Sequence, residues 1–262
     1  MIPGAEEGRD AASAPPAQPP AAPPPWFRIV VWDSLLAGLA PLLPVPFVDD
    51  IAVAAMRRRL VSRLASQAGI RLLPHQLRLL AGGGRGRSCG WLLAAAILYP
   101  VKKVLRKLLY FLAVKEAIDT LSLVFHQGYL LHGALARSGF PRDGTPPADA
   151  EVERVRQAVF GTLGALDTRP LGRVLRGVFR SSSRLVVGTL RWVGRRLGGR
   201  QTLGEIEAAG MDEATLGAGS PAAEALLDRL VTVLWGEQAY RRRLDEALRA
   251  RLEDRYTSSV AT

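Results

Sequence analysis

Cysteine is almost absent from this chain. Cys89 is the only one among 262 residues, which excludes an intramolecular disulfide framework and a zinc site built from several cysteines. The N-terminus also lacks a basic segment followed by an apolar run, so we expect no secretory signal, and Ile2 excludes N-myristoylation. These absences together predict a cytoplasmic protein.

Two further absences concern secondary structure and membrane spans. Few segments alternate apolar and polar residues, so β-strands are poorly supported and the sequence predicts an all-α fold. The run of about 20 apolar residues that a transmembrane helix requires is also missing. Residues 29–48 contain three prolines and Asp33, and residues 117–135 contain Asp119. Whether 29–48 or 91–135 inserts into a membrane stays open, and an interfacial or re-entrant hairpin is favoured over a true span.

No recognisable catalytic or metal-binding pattern occurs. The Gly-rich segment 82–88 (GGGRGRS) lacks the Gly-Lys-Ser/Thr ending of a phosphate-binding loop. His126 and His132 are six residues apart, which places them on different faces of a helix and makes them a poor metal pair. Helix N-terminal electrostatics accounts for Asp49 and Asp50. We therefore predict a non-catalytic protein, with no catalytic residue, no cofactor and no metal.

Composition divides the chain into three parts. Residues 1–25 are rich in Ala and Pro and cannot bury enough apolar area to offset chain entropy, so they are predicted to be a disordered arm. Residues 26–137 form a predicted hydrophobic helical domain with a hydrophobic hairpin. Residues 149–256 form a basic helical region, which either stands apart or packs on the first as one domain. Periodicity and capping signals predict helices over 26–40, 47–68, 74–80, 91–136 with a break at Pro100, 149–166, 169–198, 203–209 and 221–254.

The net charge of +11 is concentrated in one segment. Residues 154–200 contain 11 arginines and one acidic residue, Asp167, so this segment carries +10 (11 − 1) of the net charge. Within the helix predicted over 169–198, seven arginines fall within one arc of about 100°, and Val, Leu and Trp side chains occupy the opposite side. The seven are Arg169, Arg173, Arg176, Arg180, Arg184, Arg191 and Arg195, and Trp192 is among the apolar residues.

The basic residues are almost all arginine. Of the 35 Lys and Arg residues only four are lysines, at 102, 103, 107 and 115, so 31 are arginines. A GC-rich genome is one explanation of this bias. The functional explanation is that a guanidinium group binds phosphate in a bidentate fork.

An arginine face opposed to an apolar face is typical of a helix that lies in a lipid interface. We therefore take the seven arginines and Trp192 as candidate membrane- or anion-binding residues. The alternative is an ordinary surface helix packed on the core, although such a helix usually mixes charges of both signs. A nucleic-acid surface is less favoured, because Phe179 and Trp192 lie on the apolar side and are not interleaved with arginine.

Residues 43–72 (LPVPFVDDIAVAAMRRRLVSRLASQAGIRL) combine a Pro-x-Pro turn, an acidic residue in the first turn of a helix, an apolar stripe and a terminal Gly-Ile. The residues concerned are Pro44, Pro46, Asp49 or Asp50, Gly69 and Ile70. This pattern resembles an uncharacterised bacterial α-helical domain that is often fused to Era-like small GTPases. The resemblance extends over about residues 26–135, where the loop 82–86 and the apolar segment 91–99 match a loop and a hydrophobic hairpin of that family.

The resemblance implies a helical, membrane-associated protein without a known reaction. Because this chain has no GTPase domain, any link to a nucleotide switch would come from a separate partner. The sequence as a whole predicts a non-catalytic helical protein that associates peripherally with an anionic phospholipid surface at the inner face of the membrane, as a scaffold or as a partner of a GTPase system. The alternative is a soluble helical adaptor that binds an acidic protein or RNA through the arginines.

Overall fold

In the computed structural model, the described part of the chain comprises residues 22–42, 48–82, 106–197 and 219–260. Within it every regular element is helical and no strand occurs, which confirms the predicted all-α class. The helices are α1 (Pro25–Leu39) with a 3₁₀ turn (Ala40–Leu42), α2 (Val48–Gln67), α3 (Pro74–Leu80), α4 (Arg106–Arg137), α5 (Asp149–Ala165), α6 (Arg169–Ser181), α7 (Ser183–Leu197), α8 (Pro221–Gly236) and α9 (Gln238–Val260). Four predictions fall wholly or mostly outside the described residues: the arm over 1–25, the Gly-rich loop 82–88, the apolar segment 91–99 of the hairpin, and the short helix over 203–209.

Helix α1 lies at the centre of the described structure. Pro25 occupies its first turn, where the N–H that proline lacks would have no helical partner. Every residue from Val30 to Leu39 is buried, and α1 packs against α2, α4 and α8. A helix that is apolar on all sides is stable only in such surroundings. Gly38 permits the close approach of α4, because a Cβ atom at that position would lie 2.6 Å from the Cβ of Leu121.

A charged group is buried within this apolar helix. The Asp33 side chain is 0% exposed and pairs with two arginines of α2. Nη1 of Arg63 lies 3.2 Å from Oδ1 of Asp33, and Nε of the buried Arg59 lies 3.5 Å from the same oxygen. Burial of an isolated carboxylate would cost several kcal/mol. The two guanidinium groups offset that cost, and they tie the register of α1 to that of α2.

Local signals set the end of α2 and the position of α3. Gly69 adopts a φ of 72° after α2, and the N–H of Ile70 donates to the carbonyl oxygen of Ala65 at 2.9 Å. This is the left-handed ending that favours glycine, as the sequence predicted. Helix α3 is held by the buried Gln76, whose Nε2 donates to the carbonyl oxygen of Pro147 at 2.9 Å. Because Pro147 lies two residues before Asp149, the first residue of α5, this bond fixes α3 against the start of α5.

A buried histidine joins α4 to α9. Nδ1 of His126 donates to the carbonyl oxygen of Ser122 at 2.5 Å, and Nε2 accepts from the hydroxyl of Tyr240 at 2.6 Å. That hydroxyl also lies 3.3 Å from the carbonyl oxygen of Asp167, in the link between α5 and α6. Burial lowers the pKa of His126 to about 4, so the ring is neutral at neutral pH. Burial likewise raises the pKa of Tyr240 to about 12.

Two long helices that periodicity predicted are in fact interrupted. The helix predicted over 169–198 is two helices, α6 and α7, which separate at Ser182. Three consecutive serines lie there, and the hydroxyl of Ser181 donates to the carbonyl oxygen of Val178 at 3.2 Å, in competition with backbone hydrogen bonding. The helix predicted over 221–254 is likewise divided at Glu237, after Gly236, into α8 and α9. The apolar pattern continues through both breaks, which is why it predicted single helices.

One hydrophobic core joins the two halves of the described structure. The ring of Phe27 in α1 lies 5.8 Å from that of Phe125 in α4 and 4.9 Å from that of Trp235 in α8, measured between centroids. Leu230 of α8 and Leu248 of α9 belong to the same buried cluster. The hydrophobic helical region 26–137 and the basic helical region 149–256, which composition distinguishes, therefore share a core.

We expect Asp33→Asn to lower the free energy of unfolding by about 3 kcal/mol, because it leaves buried guanidinium charge without its carboxylate. Asp119→Asn removes an exposed carboxylate from α4 and is the matched control, with an expected change within about 0.5 kcal/mol. Urea unfolding followed by far-UV circular dichroism measures both. Equal, small effects of the two substitutions would contradict the role assigned to Asp33.

The buried His126 should make the free energy of unfolding depend on pH. Because the pKa of His126 is lower in the folded chain than its ordinary value of 6.5, the contribution of His126 to stability is complete above pH 6.5. It is lost progressively as the pH falls from 6.5 to about 4, and it amounts to about 3 kcal/mol. His126→Asn should flatten this part of the stability profile, measured by urea unfolding at pH 7.5 and 4.5. Gln238→Asn, at an exposed position that carries no ionisable group, should leave the profile of the parent chain nearly unchanged.

Candidate anion-binding surface

The seven predicted arginines all lie on the outside of the molecule. Four are on α6 and three on α7, and every one of the seven side chains is exposed. Their spacing of three, four or seven residues places each set on one face of its helix. We call the two rows together the arginine surface, comprising Arg169, Arg173, Arg176 and Arg180 of α6 and Arg184, Arg191 and Arg195 of α7.

Local sequence explains why α6 starts where it does. Pro170 lies in its first turn, and the carboxylate of Asp167 accepts a hydrogen bond from the N–H of Arg169 at 3.0 Å. A carboxylate before a helix N-terminus satisfies one of its free N–H groups and complements the helix dipole. Asp167, the one acidic residue within 154–200, therefore positions the backbone of Arg169 and does not pair with a guanidinium group of the surface.

The apolar sides of α6 and α7 are buried in the protein core. Helix α6 packs on α4 and α8, and α7 packs on α8. At the second contact the helices approach closely, because a Cβ atom at Gly188 would lie 2.8 Å from the Cβ of Ala222. The residues of the two helices that are less than 8% exposed include Leu171, Leu175, Val178, Phe179, Val186, Trp192 and Val193.

The prediction that Trp192 contacts a membrane is wrong for this conformation, because the side chain is buried. The sequence places it with the arginines as a candidate membrane contact, but its side chain is only 7% exposed. Its ring lies 6.0 Å from that of Trp32 in α1, measured between centroids. In this conformation Trp192 is a core residue that holds α7 to α1, and it is not available to a lipid phase.

Within the described part of the chain, the arginine surface carries positive charge that no carboxylate pairs with. Residues 169–197 contain eight arginines and no Asp or Glu. Among the described residues, none of the seven arginines forms an ion pair with a carboxylate. Arginines elsewhere behave differently: Arg28 reaches Glu224 at 2.7 Å and Asp228 at 2.5 Å, and Arg156 reaches Glu153 at 2.6 Å. The donors of the arginine surface are thus directed to solvent, where an external anion can accept from them.

The sequence analysis did not predict which element covers the apolar sides of α6 and α7. Periodicity identifies an apolar face but not the element that packs against it. One signal was present: α8 carries its own apolar stripe, made of Leu226, Leu227, Leu230, Val231 and Leu234, and all five are buried. Two adjacent amphipathic segments in sequence commonly pack on each other in helical proteins.

The histidines and carboxylates outside the arginine surface do not group as metal ligands in the part of the chain that the structure describes. No group of three or more His, Cys, Asp or Glu side chains that could hold a metal ion occurs among the described residues, and Cys89 lies outside them. His75 is exposed and bonds to Asp149 at 2.8 Å. His132 stacks on Trp26 with ring centroids 3.9 Å apart. A shallow open groove on α4, lined by residues such as Lys115, Glu116 and Asp119, contains neither histidine nor cysteine.

A helix that spans a membrane must contain about 20 mostly apolar residues. In residues 22–42, 48–82, 106–197 and 219–260, no helix is both long enough and apolar enough to cross a bilayer. Of the two segments that the sequence left open, residues 29–42 lie in α1 and its 3₁₀ turn within the core. Residues 91–105 of the other lie outside the described part.

Comparisons with protein-family models, with curated proteins and with solved structures found no match to this chain.

The burial of Trp192 generates a prediction for the free protein. Trp192→Ala should lower the free energy of unfolding by about 3 kcal/mol in the absence of lipid, since it empties a large buried site. Val187→Ala, at a position of α7 that is 40% exposed, is the matched control and should change stability by less than about 0.5 kcal/mol. Thermal and urea unfolding measure both. A neutral Trp192→Ala would contradict the placement of this ring in the core.

Proposed function

We propose that this protein is a non-catalytic helical protein that associates peripherally with an anionic phospholipid surface at the inner face of a membrane, through the arginine surface. The observation that carries the proposal is the two rows of exposed arginines, seven in all, in a segment (169–197) without acidic residues. Each basic residue near an anionic leaflet contributes roughly 1 kcal/mol, so several together can hold a protein without a transmembrane helix.

The packing of α6 and α7 supports one mode of association. Their apolar sides are enclosed by α4, α8 and Trp32. Insertion of these sides into the acyl region would require both helices to leave the core. Electrostatic adsorption requires no such change, because the guanidinium groups already face solvent. We therefore propose adsorption at the headgroup level, which weakens as salt screens charge over about 8 Å at physiological ionic strength.

Two other partners fit a basic surface, an acidic protein and RNA. The arrangement of aromatic side chains favours lipid over single-stranded RNA, because RNA-binding surfaces stack bases on exposed rings. Near the arginine surface the rings of Phe179 and Trp192 are at most 7% exposed. An acidic protein is the second candidate, since binding to it, like binding to lipid, requires no exposed aromatic ring on the arginine surface.

The scaffold role and the link to a GTPase system belong to the same proposal. Their support is the resemblance over about residues 26–135 to the helical domain often fused to Era-like GTPases. Two features of that pattern lie in the described part: Asp50 in the first turn of α2, and Gly69 at its end with the buried Ile70. A GTPase is the partner that this resemblance implies.

Co-sedimentation with vesicles tests the membrane proposal. The variant carries Arg173, Arg176, Arg180 and Arg184 changed to Glu, which lowers the net charge by 8 (4 × 2), from +11 to +3. Binding to vesicles that contain phosphatidylserine should fall about 1,000-fold, since four contributions of roughly 1 kcal/mol are lost. Vesicles of phosphatidylcholine alone should retain neither protein.

The control variant makes the same charge change elsewhere. Arg71, Arg142, Arg242 and Arg249 are exposed and lie outside α6 and α7, and their change to Glu also gives a net charge of +3. This variant should keep most of the binding, because surface attraction depends on the charges nearest the leaflet. Equal loss of binding in both variants would mean that the net charge, and not the arginine surface, determines binding. Absence of wild-type binding to anionic vesicles would refute the proposal, and salt-dependent retention of RNA instead would support the RNA adaptor.

A further inference from the structure

The cations of the arginine surface are of one chemical kind. Residues 169–197 contain eight arginines and no lysine, whereas the four lysines of the chain lie between positions 102 and 115. An ammonium group would supply the same charge. A surface that needed only charge could therefore contain either residue.

Guanidinium and ammonium groups differ in what they recognise. A guanidinium group presents a planar fork of N–H donors that matches two oxygens of a phosphate at once, while an ammonium group acts as a strongly hydrated point charge. The distinction matters most where the donors are not already engaged. On the arginine surface the guanidinium groups are exposed and have no carboxylate partner among the described residues.

The spacing of the arginines allows two of them to address one phosphate group. Residues three or four positions apart on a helix have Cβ atoms about 5–6 Å apart. Arg173, Arg176 and Arg180 of α6 form two such consecutive pairs, and Arg191 and Arg195 of α7 form another. A phosphate monoester offers three acceptor oxygens and a charge of about −1.5 to −2 near neutral pH, whereas a diester offers one charge. Paired forks therefore suit a monoester better than a diester.

We propose that the arginine surface, in addition to its attraction to negative surface charge, recognises the phosphate monoester headgroups of membrane lipids through paired guanidinium forks. This inference rests on the proposed membrane association and names its ligand class. The lipid source is favoured over nucleic acid because internal nucleic-acid phosphates are diesters and no ring of the two helices is exposed for base stacking.

A charge-preserving variant tests the inference. Arg173, Arg176, Arg180 and Arg184 are changed to Lys, which keeps the net charge at +11, and the matched control changes Arg71, Arg142, Arg242 and Arg249 to Lys. Both should keep the helical content and thermal midpoint of the parent chain, because Arg and Lys have nearly equal helix propensities. Binding is measured to phosphatidylcholine vesicles that contain either phosphatidic acid, a monoester, or phosphatidylserine, a diester, adjusted to equal zeta potential.

We expect the wild type and the control variant to prefer the phosphatidic acid vesicles by about 10-fold, which corresponds to about 1.4 kcal/mol for bidentate pairing. The Arg→Lys variant removes both α6 pairs and leaves the Arg191–Arg195 pair, so it should lose most of this preference and bind both vesicles at nearly the level set by charge. If it keeps the preference, or if the wild type has none, the inference is wrong while the proposed membrane association stands. If the wild type binds neither vesicle, both proposals fail.

Two competition arms identify the source of the phosphate. Glycerol 3-phosphate, a soluble monoester, should not displace the protein from vesicles at a concentration equal to that of accessible lipid phosphate, because single headgroups lack the multivalency of a bilayer. Displacement at that concentration would overturn the lipid assignment in favour of a free phosphate ligand. Displacement by a short single-stranded RNA at lower phosphate concentration would overturn it in favour of nucleic acid.

Discussion

Helix α1 is surrounded by other helices, and a carboxylate at its centre constrains how they are placed. Asp33 is 0% exposed and has Arg63 and Arg59 of α2 within 3.2 and 3.5 Å. A shift of α1 along α2 by one residue would separate these groups and leave charges buried without partners, at a cost of several kcal/mol. Hydrophobic burial, by contrast, is non-directional. The ion pairs thus supply positional specificity to a core that is otherwise formed by Leu, Val, Ala and aromatic side chains.

The same helix transmits this constraint to the C-terminal half. Trp32 precedes Asp33 and lies against Trp192 of α7, while Phe27 lies against Trp235 of α8. Helix α1 is therefore joined to α2 by charge, while Trp32 reaches α7 and α8 packs against α1. The arginine surface is thus linked to α1 through Trp32, while α4 and α8 hold α6 and α8 holds α7.

Much of the helical architecture could be predicted because its signals are local. Pro25, Gly69 and Pro74 mark helix ends through their own backbone geometry, and the structure has helix boundaries at or next to all three. The breaks at Ser182 and Glu237 could not be predicted from periodicity, because the apolar pattern on both sides remains in phase. The exposure of the seven arginines followed from helical geometry. The burial of Trp192 and of Arg59 did not, since each depends on a partner distant in the sequence, Trp32 and Asp33 respectively.

The break at Ser182 gives the arginine surface two rows that are both anchored to one core. A flexible amphipathic segment would lose conformational freedom when it met a charged surface, and that loss would reduce its affinity. Here the ordering has already occurred during folding, because α6 packs on α4 and α8 while α7 packs on α8. Contact by one row therefore holds the other at a high effective concentration near the same surface. In these terms the two rows form a preorganised bivalent ligand for an anionic surface.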